Sequence, residues 1–326
     1  MRICVISDAV LPSPMKDGHG LGKVQHTLAE GLKSRGHDVT FVARQGSQFS
    51  GNLITPDGAE GYPGEWILAR AALQTHKQNR FDAFLDGSHI HVLADMFPDL
   101  PIANQYHDNY QAYRRCPILM SKGQRALLPP EFERAAIIPN ALNPADFEVS
   151  LKPDPQDYAL FMGALVDFKN PLLAIEACAR MGIKLVMAGA APSGQLPFAD
   201  GSNVQYIGPV SGQYKLDLLK GARVFLQLGT VESFGLTTLE AALSGTPVVG
   251  WPAGGTLDII ANGINGVFVN ATMKDKVAAV VNAIERAWYM DRATVRKYAE
   301  SISSVDRQLD AYEFALSRVA RGEWWG

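Results

Sequence analysis

The chain has 326 residues, 47% of them hydrophobic and 19% charged, with a formal net charge of −3. That length suits two domains of ordinary size, and a chain of that composition can bury a core and need not be disordered. A charge this close to neutral, balanced within each half, argues against broad electrostatic binding to nucleic acid or anionic lipid. It leaves one local basic patch of Arg114, Arg115, Lys122 and Arg125.

The chain opens on an apolar run, Ile3 to Ser7, that reads as a strand and not as a secretory leader. The loop Gly18-His-Gly-Leu-Gly22 follows, where small residues let backbone approach a ligand and the next helix start favours an anion. Gly20 and Gly22 are therefore donor-site candidates. Lys23 to Arg35 has Val24, Leu28 and Leu32 on one helical face, and Gly36 stops it. Val39 to Ala43 is the next predicted strand. Arg44 to Gly64, rich in Gly, Pro and Ser, reads as a loop with one short strand. Trp66 to Lys77 is a helix, and Ala83 to Leu85 and Ile102 to Gln105 are strands. His107 stands just past the last of these. His89 and His91 form a His-x-His pair with no third ligand at metal spacing, so a polar loop is the expectation there.

The alternation restarts at Tyr158 to Gly163, after a Pro-containing stretch, Asn143 to Gln156, that suits a domain boundary. A helix from Pro171 to Met181 follows, then strands at Ile183 to Gly189 and Val204 to Ile207. Next come a helix at Tyr214 to Lys220 and a strand at Val224 to Leu228. Met273 to Ala320 is helical by pattern, with two helices or more. Two strand–helix series imply two parallel sheets covered on both faces. The three cysteines, Cys4 in a strand, Cys116 in a polar connection and Cys178 on a helix, make no framework and suit a reducing compartment. No apolar run approaches a membrane span, and a soluble cytoplasmic protein is the expectation.

The densest signal is Glu232-Ser-Phe-Gly-Leu-Thr-Thr-Leu-Glu240, followed by Ala-Ala-Leu-Ser-Gly245-Thr-Pro-Val-Val-Gly250. It reads as strand, turn, helix, glycine stop, strand, which places the turn at the carboxyl end of a parallel strand, where such sheets bind ligands. The N–H groups of Gly235, Leu236 and Thr237 at the helix start suit a phosphate. Carboxylates on both sides suit hydroxyl-rich groups. A dinucleotide site is a poorer fit. Gly18-x-Gly20-x-Gly22 has the wrong spacing, and the second strand ends at Ala43-Arg44 without an acid for a ribose.

This stretch resembles the Glu-x7-Glu motif of the retaining glycosyltransferases of family four, and the short, avilamycin-biosynthesis-like branch is the nearest in flavour. Gly254-Gly-Thr-Leu-Asp-Ile-Ile260 and Ile137-Ile-Pro-Asn-Ala-Leu-Asn143 extend the resemblance, as do Gly20-Leu-Gly22 and Arg35-Gly-His-Asp-Val39. It implies an α/β GT-B fold, two doubly wound, Rossmann-like domains facing a cleft. The expected division is an acceptor-side domain at 1–145, a nucleotide-sugar domain at 146–305, and a helix at 306–326 crossing back to the first.

The resemblance also implies roles. Glu232 and His107 lie by the donor sugar, Glu240 holds the ribose, and Lys169 neutralises the diphosphate beside Gly235, Leu236 and Thr237. Gly163 and Phe234 border the donor, and the turn Gly208-Pro-Val210 meets the base through its backbone. The donor would be a UDP-, GDP-, ADP- or dTDP-sugar, with no bound cofactor and no metal. The acceptor would be a small molecule, glycan or glycolipid. Five residues before Lys169 the family has an arginine, and this chain has Ala164. That departure keeps open a non-catalytic nucleotide-sugar-binding protein. A GT-B sugar-nucleotide epimerase and glycosylation of modified nucleic acid stay open beside it.

Overall fold

The computed structural model describes residues 1–14, 20–109, 112–151, 157–191 and 203–326. Gly18, Pro153 and Pro155 of the stretches discussed above lie outside them. The chain divides into two compact units, Met1–Asn140 with Val305–Gly326, and Ala141–Ser304.

The first unit runs β1 (Arg2–Ile6), α1 (Gly20–Ser34), β2 (Asp38–Val42), β3 (Asn52–Ile54), α2 (Gly61–Gln78) and β4 (Ala83–Asp86). It continues through α3 (Val92–Met96), β5 (Ile102–Tyr106), β6 (Pro117–Leu119), α4 (Lys122–Arg125) and β7 (Ala136–Ile137). The strands form one sheet in the order β3-β2-β1-β4-β5-β6-β7, and every pairing between them is parallel. The order reverses between β1 and β4, the position where open sheets of this kind present ligand loops. Strand residues point alternately to two faces. Cys4, Ile6 and Phe84 meet Leu68, Ala72 and Leu93 of α2 and α3 on one of them.

The second unit runs β8 (Tyr158–Met162), α5 (Pro171–Met181), β9 (Lys184–Ala188), β10 (Val204–Tyr206), α6 (Gly212–Gly221) and β11 (Val224–Gln227). It continues through α7 (Leu236–Leu243), β12 (Val248–Gly250), α8 (Thr256–Ile259), β13 (Gly266–Phe268), α9 (Lys276–Ala287) and α10 (Arg292–Ile302). Its strand order is β10-β9-β8-β11-β12-β13, again parallel at every pairing, with the reversal between β8 and β11. Ala159, Phe161, Leu185, Met187 and Leu226 pack against Ala177 and Cys178 of α5 and Val280 and Ile284 of α9.

The helical stretch at the end of the sequence is three helices, α9, α10 and α11 (Val305–Ala320), and the last belongs to the first unit. There it lies beside α1 so closely that a methyl on Gly31 would sit 2.7 Å from both terminal carbons of Leu309. Tyr312 and Leu316 lie on its buried face.

The segment after Ala141 is tied to the second unit by hydrogen bonds. Ser303 Oγ accepts from Leu142 N–H at 2.9 Å and donates to its carbonyl at 2.7 Å. Arg296 donates to the carbonyls of Pro144 at 2.8 Å and Phe147 at 3.0 Å. The buried Arg292 donates to the carbonyls of Ser150, Ala222 and Lys220 and to Thr246 Oγ1, at 2.5–2.9 Å. Burial, with Arg223 nearby, lowers its pKa to about 10.

Two local expectations are corrected. Cys116, expected in a polar connection, is fully buried at the start of β6, where its N–H donates to the carbonyl of Trp325 at 3.0 Å. The first helix opens at Gly20 and not Lys23, so Gly20 and Gly22 stand in its first turn and not in the loop. All three cysteines are free and buried.

Candidate functional site

The second unit builds its site at the reversal of strand order. β8 feeds a loop that closes in a short 3-10 turn, Asp167–Lys169, and Asn170 then adopts a left-handed conformation ahead of Pro171, the first residue of α5. The fixed φ of proline suits that first position. β11 feeds the second loop, which ends at Gly235 with φ +98° and caps α7. A side chain at that φ would be strained, which is why glycine opens the helix.

The two loops are joined by hydrogen bonds. Asn170 Nδ2 donates to the carbonyl of Leu228 at 2.8 Å, and Thr230 N–H donates to the carbonyl of Phe168 at 2.9 Å. Those bonds bring Lys169 Nζ to 3.2 Å from Glu232 Oε2, with side chains 24% and 17% exposed. Gln227 Nε2 donates to the same oxygen at 3.1 Å and to Thr238 Oγ1 at 3.3 Å. Glu232 is therefore fixed from both sides while a part of it still meets solvent.

The loop has a rigid floor. Gly255 N–H donates to the carbonyl of Glu232 at 2.7 Å. A methyl on Gly254 or Gly255 would collide with the backbone of Glu232 or Phe234. The glycine pair expected from the sequence thus permits backbone-to-backbone contact. Phe234 is buried and anchors the loop from below.

At the start of α7, the first intrahelical bond from this cap is Leu239 N–H to the carbonyl of Gly235 at 3.1 Å. The N–H groups of Leu236 and Thr237 have no carbonyl partner within the helix, and the helix dipole favours an anion there. Further along α7, Glu240 is nearly buried. Lys215 of α6 places Nζ 2.8 Å from its Oε1 and 2.6 Å from its Oε2, with side chains 15% and 10% exposed.

Gly163 follows β8 and lies against Lys169, whose Cδ would be 3.4 Å from an added methyl. Ala164 is half-buried in the same loop. Val210 is half-buried in the turn after β10, where Gly189 N–H donates to the carbonyl of Gly208 at 2.8 Å. The structure thus brings Lys169, Gly163, Glu232, Phe234, Gly235, Leu236, Thr237 and Glu240 to neighbouring loops and one helix. Sequence reasoning missed Gln227 and Lys215. The two carry no spacing signal because their partners come from packing, 5 and 25 residues away.

The first unit gathers polar groups at the carboxyl ends of β1, β4 and β5. His107 follows β5, and the fully buried Gln25 of α1 places Nε2 3.0 Å from its Nε2. The same amide donates to Gln105 Oε1 at 2.6 Å, and Gln105 donates to Tyr312 Oη. Gly87 leaves the space for Gln25, since a methyl there would overlap its amide.

His89 and His91 are split between two carboxylates. Glu65 accepts from His89 N–H and Ile90 N–H at 2.8 Å each and lies 3.1 Å from His89 Nδ1. Asp86 lies 3.8 Å from His91 Nδ1. Burial pushes the pKa of His89 down. The Glu65 hydrogen bond and the charges of Glu65, Asp8 and Asp108 outweigh it and hold it above the usual value. Among the described residues, no group of three or more His, Cys, Asp or Glu side chains is arranged to hold a metal ion.

Gly22 meets its own chain: an added methyl would lie 3.2 Å from the carbonyl oxygen of Pro12. The basic patch is largely answered locally, by Asp95 at 2.7 Å from Arg114 and Asp99 at 3.6 Å from Arg115. No described helix is long and apolar enough to cross a membrane.

Residues 143–301 match the model of the family described as glycosyl transferases group 1. The chain is 30% identical over 185 residues to a D-inositol 3-phosphate glycosyltransferase of Geodermatophilus obscurus, covering 49% of this chain and 41% of that one. The matched part spans less than half the length of the first curated relatives. AviGT4, a glycosyltransferase involved in avilamycin A biosynthesis, superposes with a TM-score of 0.79 at 23% identity, over 100% of this chain and 99% of the other. HepE of Anabaena, solved with UDP and glucose, gives a TM-score of 0.71 at 16% identity, over 97% and 99%. Both likenesses give the fold, GT-B.

Proposed function

From the premise that residues 143–301 form a glycosyl transferases group 1 domain on a GT-B fold, we propose that the protein is a retaining glycosyltransferase. It moves a hexose-type sugar from a nucleotide sugar to an acceptor hydroxyl. The observation that carries this reading is the joined pair of loops after β8 and β11. They set an ammonium, a carboxylate and a helix N-terminus side by side.

Each group has a task in that reaction. The N–H groups of Leu236 and Thr237 hold the diphosphate. Lys169 meets the charge that grows on it as the bond from anomeric carbon to phosphate oxygen breaks, a stabilisation that acts most in the transition state. Gly163 and Phe234 border this pocket, and Val210 lies by the base. Glu232, held by Gln227, hydrogen-bonds the sugar, and Glu240 takes the ribose hydroxyls. The acceptor oxygen bonds to the anomeric carbon on the face the phosphate leaves, and its proton passes to the departing phosphate oxygen. No protein nucleophile is then required, and no metal ion takes part. In the first unit we assign His107, oriented by Gln25, to a donor-sugar hydroxyl, and Gly20 and Gly22 to the donor-side start of α1. The acceptor is assigned to the same unit.

The test is a calorimetric screen of UDP-, GDP-, ADP-, CDP- and dTDP-sugars, then nucleotide release for each ligand bound. UDP-glucose comes first because HepE was solved with UDP and glucose. Binding with slow acceptor-free nucleotide release, unaffected by EDTA, is the expected result. No binding to any of them overturns the reading. Ala164, where the family has arginine, favours a second reading, a nucleotide-sugar-binding protein without transfer. Binding without release, gained on Ala164→Arg, would support that one.

A further inference from the structure

α6 carries two lysines of opposite character. Lys220 is a surface residue, paired with Glu148 at 2.8 Å and Asp217 at 3.2 Å, whose side chains are 74% and 51% exposed. Lys215 points inward and spans both oxygens of Glu240 at 2.8 and 2.6 Å. Such a pair, withdrawn from water, is a poor device for stability, because desolvating two ions offsets much of their attraction. It is an effective device for orientation. The ammonium's hydrogen bond to Oε1 fixes the carboxylate plane, and Oε2, buried beside it with no hydrogen-bond partner among the described residues, stays open to another donor. Glu240 is not sealed, since a tenth of its side chain still meets solvent.

We propose that Lys215 is a positioning residue. It orients the Glu240 carboxylate to accept from the 2′- and 3′-hydroxyls of a nucleoside diphosphate, and so sets the preference for ribose over 2′-deoxyribose. The inference rests on Glu240 as the ribose acceptor. It adds that the acceptor's geometry is imposed from α6, outside the Glu232–Glu240 stretch. A carboxylate held in one plane meets two vicinal hydroxyls at once. A freely rotating one loses part of that advantage on binding.

The experiment measures dissociation constants of UDP, GDP and ADP and their 2′-deoxy counterparts by calorimetry. The proteins are the full chain, Lys215→Met, Lys215→Arg and Glu240→Gln, each checked for folding by circular dichroism. Lys215→Met should lower the ribo-to-deoxy preference by on the order of tenfold, with the deoxynucleotide affinity little changed. Lys215→Arg should recover much of the preference. If both affinities fall together and their ratio is kept, the pair is only structural and the inference is overturned. Should Lys215→Met fail to fold, Lys215→Gln is read by the same ratio. Loss of preference in Glu240→Gln but not in either Lys215 variant sinks this inference and leaves the site reading intact. No nucleotide binding by the unaltered chain sinks both.

Discussion

Lys169→Ala separates turnover from binding, and the structure sets its size. The ammonium lies 3.2 Å from Glu232, in a loop partly open to solvent. Two unit charges about 4 Å apart interact by roughly 4 kcal/mol at an effective dielectric near 20. The donor diphosphate is already charged in the ground state, so only the charge that develops as the sugar leaves counts toward rate. With a side chain 24% exposed, screening reduces this further. A loss of about 2–3 kcal/mol of transition-state stabilisation remains, or about 30- to 150-fold in kcat. Donor affinity should fall far less, because the N–H groups at the start of α7 still hold the phosphates. The assay is single-turnover nucleotide release with the donor found in the screen, beside its dissociation constant. Lys169→Arg should recover part of the rate. An unchanged kcat, or a loss confined to donor affinity, would refute the assignment of Lys169 to the leaving group.

Three further outcomes follow from packing. Gly255→Ala puts a methyl into the Phe234 backbone, so the Glu232–Phe234 loop must shift, and donor affinity should fall more than about tenfold while both sheets keep their circular dichroism. Arg292→Met strips four hydrogen bonds from carbonyls and a hydroxyl in a buried site and should destabilise the chain by about 3–5 kcal/mol in urea unfolding. His89 is held above its ordinary pKa by Glu65, Asp8 and Asp108 against burial, so the folded state binds its proton more tightly than the unfolded chain. Its stabilisation is complete below the ordinary histidine value of about 6.5 and disappears as pH rises through the folded value. The stability lost in His89→Gln should therefore be greater at pH 5.5 than at pH 8.5, and an equal loss at both would refute it.

What the sequence made legible follows from distance along the chain. Strands β1, β2, β4, β5, β8, β9, β11 and β12 were readable because parallel strands buried on both faces are largely apolar runs, and the edge strand β10 was readable from the alternation of Val204 and Tyr206 around the exposed Gln205. The strand β6 was legible only through the resemblance carried by Ile118 to Arg125, and β7 and β13, of two and three residues, gave too short a run to stand out. The start of α1 was placed late because glycines at 20 and 22 read as loop, whereas Gly22 is there to pass the Pro12 carbonyl. Cys116 read as polar-loop because its neighbours are arginines, yet the chain end returns to cover it.

The same logic divides the candidate site. Glu232, Gly235 and Glu240 share one turn and one helix, so their spacing shows them together. Lys169 reaches Glu232 only because Asn170 joins the two loops. Gln227, Lys215 and Gln25 carry no local pattern at all. Each holds the polar group of a candidate residue in place, Gln227 for Glu232, Lys215 for Glu240 and Gln25 for His107. Groups that would touch a ligand lie on loops with recognisable turn chemistry or on α7, the helix such a turn opens. Groups that aim them lie on the strands and helices behind, where only the folded sheet brings them within bonding distance. A substitution at one of these three supports should therefore alter specificity or rate before it alters the fold.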